Sequence, residues 1–149
     1  MAEIELHPDY KDFLRLLNSH NVRYLLVGGY AVGYHGYPRA TGDMDIWIEM
    51  SEPNSKKVAS AFRDFGMSDE AISEDLFLET KKVIRMGEPP VRLEVITSAS
   101  GVDFKECFSH REVLEIDGIP INFISLEDLK KNKRAAGRFK DMEDLEHLP

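Results

Sequence analysis

Residues 43–48 read DMDIWI, with two aspartates one residue apart inside an otherwise apolar run. On a β-strand alternate side chains share a face, so Asp43 and Asp45 point one way while Met44, Ile46 and Ile48 point the other. Two such carboxylates lie roughly 7 Å apart along the strand and repel each other. A divalent cation removes that repulsion. Mg²⁺ favours one or two carboxylates completed by water and substrate phosphates, and paired ions sit roughly 3.5–4 Å apart in two-metal sites. The same pattern also suits an edge strand whose outer face is wet. A third acid would complete a metal site, and Glu94 in VRLEVIT is mid-strand, between Leu93 and Val95 on the opposite side. Glu49, Glu52 and Asp103 are its rivals, placed at strand ends or in loops.

Upstream stands GGYAVGYHGY. Gly28 and Gly29 follow an apolar segment and open a helical one, a turn in which backbone can approach a ligand closely and a helix start presents free N–H groups to an anion. Position 30 is Tyr30, so the G-x-G-x-x-G dinucleotide pattern is absent, and Tyr34-His35 after Gly33 exclude a Walker A loop. For a lone Gly-Gly pair, a tight turn with no ligand is the commoner reading. Arg39 and Thr41 lie four and two residues before Asp43; Arg39 can fork onto phosphate or form a surface ion pair, and Thr41 can orient a phosphate or carboxylate or close a turn with Gly42.

The elements that must position these residues follow from periodicity. PDYKDFLRLLNSH (8–20) places Tyr10, Phe13, Leu14 and Leu17 on one side of a helix. NVRYLLVGG reads as a buried strand, GYAVGYHGY as a short helix and ATGDMDIWIEM as a second strand. SEPNSKKVASAFRDFG is a helix with Val58, Ala59, Phe62 and Phe65 in register and Gly66 as its stop. Residues 70–80 suit a short helix. KKVIRMG and VRLEVIT are two strands about a turn at GEPP, where proline excludes regular pairing. REVLEIDGIPINFIS is a hairpin turning at Asp117-Gly118. Ser125 caps a helix through LEDLKKNKRAA with Asp128 as its box partner, Gly137 breaks it, and RFKDMEDLEHL forms a last helix. The expected fold is α+β: a mixed sheet with helices packed on it and helices at the C-terminus, in a single domain spanning 1–149.

The composition is ordinarily globular, with 42% apolar and 31% charged residues, and one cysteine excludes an internal disulfide. The net charge of −8 disfavours indiscriminate nucleic-acid binding. No secretory start or membrane-length apolar run is present, which points to the cytoplasm. KKNKRAAGRFK (130–140) nevertheless carries six basic residues and no acid, suiting a specific polyanion or a solvated helix face.

Gly28-Gly29, thirteen intervening residues, Asp43-x-Asp45 and a later-strand acid resemble the nucleotidyltransferase superfamily of the DNA polymerase beta type. GGYAVGYHGYPRATGDMDI and the tail ISLEDLKKNKRAAGRFKDMEDLEHL are similar to the branch of AbiEii-type toxins and related small bacterial nucleotidyltransferases, from about residue 22 onward. The resemblance implies NMP transfer from an NTP to a hydroxyl with release of pyrophosphate. It implies two Mg²⁺ (or Mn²⁺) ions on Asp43, Asp45 and Glu94, phosphates at Gly28 and Gly29, and Lys133 on the triphosphate. The donor is an NTP, with ATP one candidate among the four, and the acceptor is an RNA such as tRNA, a protein or a small molecule. A toxin–antitoxin setting with a cognate partner also follows. Two departures are expected: Glu94 replaces the commoner aspartate, and residues 1–149 do not include a counterpart of the separate C-terminal helical domain of larger toxin members. Arg138 and Asp141 suit a structural pair, His35 a packed histidine, and Trp47 and Tyr30 either base stacking or core. The alternative is a non-catalytic module of the same fold, binding a nucleotide or partner as an antitoxin or regulator.

Overall fold

The computed structural model describes residues 5–39, 41–67, 72–88 and 90–149. Its elements run α1 (Pro8–Ser19), β1 (Tyr24–Val27), α2 (Gly28–Tyr34), β2 (Asp43–Ile48), α3 (Glu52–Asp64), a 3-10 turn (Glu74–Leu78), β3 (Val83–Glu88), β4 (Val91–Ile96), α4 (Phe104–Ser109), β5 (Glu112–Ile116), β6 (Ile119–Phe123), α5 (Leu126–Ala136) and α6 (Phe139–His147). The six strands form one mixed sheet in the order β3-β4-β2-β1-β6-β5. β2 runs antiparallel to β1 and parallel to β4, while β3/β4 and β5/β6 are antiparallel hairpins. The acid-bearing strand is therefore internal, which removes the wet-edge reading of Asp43 and Asp45.

Register assigns every residue of the central strands to a face. Tyr24 and Leu26 of β1 oppose Ile48 and Ile46 of β2, whereas Leu25 and Val27 oppose Trp47 and Asp45. In β4, Leu93 and Val95 align with Met44 and Ile46, and Arg92 and Glu94 with Asp43 and Asp45. The first face is the core side: Met44, Ile46, Ile48, Leu93 and Val95 are all buried, and α1 and α3 cover it through Phe13 packed edge-on to Phe62 at 5.3 Å. Tyr24 reaches α1 from this side, its hydroxyl donating to Asn18 Oδ1. The opposite face carries the acids.

Helix termini follow local chemistry. The His7 ring accepts the Asp9 N–H and Pro8 opens α1; Ser51 caps α3 and Ser125 caps α5. Asp128 does not complete the box at Ser125, because its carboxylate is taken by His110 Nδ1 at 3.0 Å. Gly137 adopts φ +63° and returns its N–H to Lys133 O, ending α5 as expected. Asp117 and Gly118, both at positive φ, make the β5–β6 turn.

One further expectation is revised, and one element is new. Pairing persists to Glu88 and Val91, so Gly87 and Glu88 of the expected turn belong to the hairpin ladder, with Pro89 outside the described residues. A short helix, α4, stands on the segment before β5, capped by Asp103, whose carboxylate accepts the Glu106 N–H. The short helix expected over 70–80 is the 3-10 turn at 74–78, with residues 70 and 71 outside the described chain. No helix among the described residues is long and apolar enough to cross a membrane.

Candidate active site

Asp43, Asp45 and Glu94 lie together on the open face at the start of β2 and the middle of β4. The parallel register sets Asp45 directly beside Glu94 and Asp43 beside Arg92. Burial, the hydrogen bond to Glu94 and the charges of Glu94 and Asp43 together raise the Asp45 carboxyl to about 7, while Lys140 pulls in the other direction. Asp45 thus keeps its proton up to near neutrality, hydrogen-bonded to Glu94.

Basic groups answer the remaining charge. Arg92 forks onto Asp43, Nη2 to Oδ2 at 2.8 Å and Nε to Oδ1 at 3.2 Å, and lies 3.6 Å from Glu94. Arg85, opposite Glu94 in the β3–β4 hairpin, donates to it at 2.7 Å. The Tyr10 hydroxyl accepts the Arg92 N–H at 2.9 Å and lies 2.9 Å from Gly42 O, tying the entries of β2 and β4 together from α1. Burial, opposed by that backbone hydrogen bond and aided by Asp43 and Asp45, raises the Tyr10 hydroxyl above its usual range.

The glycine turn meets the acids directly. Gly28 has φ +65°, and a Cβ there would stand 2.0 Å from Asp45 Oδ2. At Gly29 a Cβ would stand 2.5 Å from Thr41 Oγ1 and 3.4 Å from Arg39 Nη1. No side chain caps the N-terminus of α2, so its first N–H groups open beside the Asp45 carboxyl. Thr41 donates to Asp43 O at 3.1 Å and fixes the approach to β2.

Arg39 and Lys133 are committed elsewhere. Arg39 grips Asp144 of α6 with Nε and Nη2, at 2.8 and 2.9 Å, in a largely buried pair that leaves Nη1 beside Gly29. Lys133, 4% exposed, spans Asp141 at 3.1 Å and Asp144 at 3.0 Å. The expected triphosphate contact is therefore an internal clip between α5 and α6. Arg138 pairs with Asp141 at 2.7 Å, and the Asp141 carboxylate also accepts the Arg138 backbone N–H. His35 packs inward with its ring nitrogen 2.7 Å from Ile124 O, and Tyr30 meets Tyr10 edge-on.

Arg92, Arg85, Lys140 and Tyr10 join the site without having been marked as functional by the sequence. Arg92 was recoverable, since it stands two residues before Glu94 and strand alternation puts both on one face. Arg85 required the hairpin register. Tyr10 carries the same periodic signal as its core neighbours.

The donor set suits a hard divalent cation: three carboxyl groups on adjacent strands, with a proton on Asp45 that a cation can replace. Among the described residues no three such side chains already converge as a cage. Arg92 turns Asp43 aside, and Arg85 engages Glu94. Mg²⁺ is commonly held by one or two carboxylates plus substrate phosphate, so these residues fit it.

No protein-family model matches the chain, and no curated protein does. Solved structures do. A candidate nucleotidyltransferase of Thermotoga maritima, TM1012, superposes with a TM-score of 0.63 at 18% identity, over 95% of this chain and 93% of that one. The fold is nucleotidyltransferase-like. An antigenic nucleotidyltransferase-like protein from Paracoccidioides brasiliensis superposes at 0.52 with 20% identity, over 93% of this chain and 72% of its own. In this nucleotidyltransferase-like fold the glycine turn and the three acids occupy one place on the sheet.

Proposed function

We propose that the protein is a metal-dependent nucleotidyltransferase, moving a nucleoside monophosphate from an NTP to a hydroxyl acceptor and releasing pyrophosphate. The observation that carries this reading is the contact of Gly28 with Asp45, which sets an uncapped helix start against a carboxyl hydrogen-bonded to Glu94. The names of the two structural neighbours agree with it.

In this reading the α2 start and the Arg39 Nη1 edge receive phosphate, with Gly28 and Gly29 keeping the approach clear. Asp43, Asp45 and Glu94 hold two Mg²⁺ or Mn²⁺ ions, which when bound neutralise the triphosphate and stabilise entering and leaving oxygens. The acceptor oxygen forms a bond to the α-phosphorus, the bond to the bridging oxygen breaks, and pyrophosphate leaves. Glu94 takes the acceptor's proton. Arg92 and Arg85 neutralise the acids beforehand and then turn to phosphate. Lys140, exposed and close enough to influence Asp45, takes the phosphate-facing role expected of Lys133. The similarity to the AbiEii-type branch suggests a cytoplasmic toxin–antitoxin setting, with an RNA such as tRNA, a protein or a small molecule as acceptor.

One observation favours the second reading, a non-catalytic nucleotide- or partner-binding module. Arg92 and Arg85 already satisfy Asp43 and Glu94 without any ligand. The deciding experiment supplies each of four α-labelled NTPs with Mg²⁺ or Mn²⁺ to the protein, total RNA and cell extract. Wild type is expected to transfer label, and Asp43→Ala/Asp45→Ala to transfer none. Transfer undiminished in the double variant overturns the assignment of the acids, and no transfer in any combination favours the module.

A further inference from the structure

Tyr10 stands apart from the other residues that α1 buries. Phe13, Leu14 and Leu17 end in carbon, and their place in the core explains them. Tyr10 is equally buried, at 2% exposed, but carries a hydroxyl past the core to the end of the sheet where the acids begin. Phenylalanine would pack as well, so the oxygen needs an explanation of its own.

That explanation lies in what the hydroxyl joins. It accepts the Arg92 N–H at 2.9 Å, and lies 2.9 Å from Gly42 O and 3.0 Å from Arg92 O. Gly42 immediately precedes β2, and Asp43–Arg92 is the first register pair of β2 with β4. An end pair has ladder on one side only, and such ends open first. The hydroxyl adds a rung there, running from the Arg92 N–H through the oxygen to Gly42 O. From that fixed backbone Arg92 forks onto Asp43, while Glu94 stands two residues along β4 beside Asp45. The ring meanwhile meets Tyr30 edge-on at 5.9 Å, and Tyr30 directly follows the Gly28-Gly29 turn. A single side chain of α1 thereby touches α2, β4 and the entry to β2.

We propose that Tyr10 is a positioning residue of the acid site: its hydroxyl holds the entries of β2 and β4 at a fixed separation and so sets Asp43 and Arg92 against Glu94. The hydroxyl is engaged with backbone, so it acts through these residues and not on substrate. Its consequence for the reaction rests on the transfer reading; its consequence for geometry does not.

Tyr10→Phe keeps the ring and its contact with Tyr30 and removes only the oxygen. Tyr24→Phe is the control, because it removes a hydroxyl that donates to Asn18 on the core side, away from the acids. The Arg92 Nε–H, which donates to Asp43 at 3.2 Å, gives a ¹H–¹⁵N cross-peak that reads no activity. In wild type it should exchange slowly with water. In Tyr10→Phe it should shift and exchange at least about tenfold faster, and in Tyr24→Phe it should stay as in wild type, although both variants lose stability to urea. Lost stability alone is what a merely structural hydroxyl would give. With NTP and Mg²⁺, Tyr10→Phe should lower kcat at least about tenfold and leave KM within about twofold, because misplaced carboxylates slow the step while the α2 start still receives phosphate. The proposal is overturned if the Arg92 Nε–H of wild type exchanges as freely as that of an exposed arginine, a measurement that needs no variant to fold. It is overturned equally if the peak is unchanged in Tyr10→Phe, if Tyr24→Phe moves it as much, or if KM rises with kcat unchanged. A wild type that transfers nothing, while its Arg92 peak responds to Tyr10→Phe, overturns the transfer reading and supports the positioning.

Discussion

At Gly28 two constraints coincide, because its φ of +65° disfavours any side chain and the space a Cβ would fill is held by the Asp45 carboxylate. Gly28→Ala should therefore cost about 1–3 kcal/mol of stability and displace Asp45, abolishing transfer. Gly33→Ala in the same helix is the control: nothing lies within 4 Å of the added methyl, and urea unfolding should show unchanged or slightly raised stability. Equal losses in the two variants would mean that Gly28 matters only as a helix residue. Asp45 itself predicts a pH dependence. Its carboxyl is pushed up to about 7 in the folded chain from an ordinary 3.8, so the folded state binds more protons between those values. The associated stability is complete below the lower value and is lost as pH rises through the upper one. Denaturation of Asp45→Asn and wild type near pH 5 and pH 8 should show the asparagine variant gaining on wild type at the higher pH. A constant difference would refute the raised Asp45 carboxyl.

At the scale of elements, α5 and α6 form a hairpin whose internal fastening is Lys133 between Asp141 and Asp144. Burial opposes ionisation of both aspartates, but hydrogen bonds from Arg138 and Lys133 at Asp141, and from Arg39 and Lys133 at Asp144, hold both carboxyls below the usual range. Their stabilisation is present above the ordinary carboxylate range and is lost only as acid carries the pH down through the depressed values. Removing one partner of a buried pair typically costs about 3–5 kcal/mol. Lys133→Met should fall at the low end, because Arg39 and Arg138 remain, and hydrogen exchange should show α6 opening first. Protection of α6 unchanged from wild type would sink the clip. This hairpin also shows where the sequence was legible. Both helices, Gly137 and the Arg138–Asp141 pair were readable from caps and spacing. The burial of Lys133 was not, since a run of six basic residues looks solvated until the chain folds Asp141 and Asp144 back onto one of them. The acid face behaved likewise: DMDIWI and VRLEVIT showed which side each residue takes, but the β2–β4 parallel register that joins Asp45 to Glu94 is long-range. Six-residue α4 carries too short a period to read at all.

At the scale of the molecule, the sheet divides its work between faces. α1 and α3 bury Met44, Ile46 and Ile48 on one side, so Asp43 and Asp45 can change on the other without opening that core. Binding at the acid face should then appear as added global stability, because a ligand that binds only the folded chain stabilises it by mass action, about 2.7 kcal/mol at a hundredfold excess over Kd. For a chain of this length that is a rise in Tm of about 5–10 °C, from about 2–4 °C per kcal/mol. The rise should require both components. An NTP alone adds phosphate charge beside three carboxylates, and a cation alone lacks the phosphate oxygens that complete its shell. The expected result is a full shift with NTP and Mn²⁺ together, a small one with either alone, and none in Asp43→Ala/Asp45→Ala. A full shift with NTP alone, persisting in the double variant, would mean that Arg92 and Arg85 keep the acids neutralised permanently and that the nucleotide is bound without being activated.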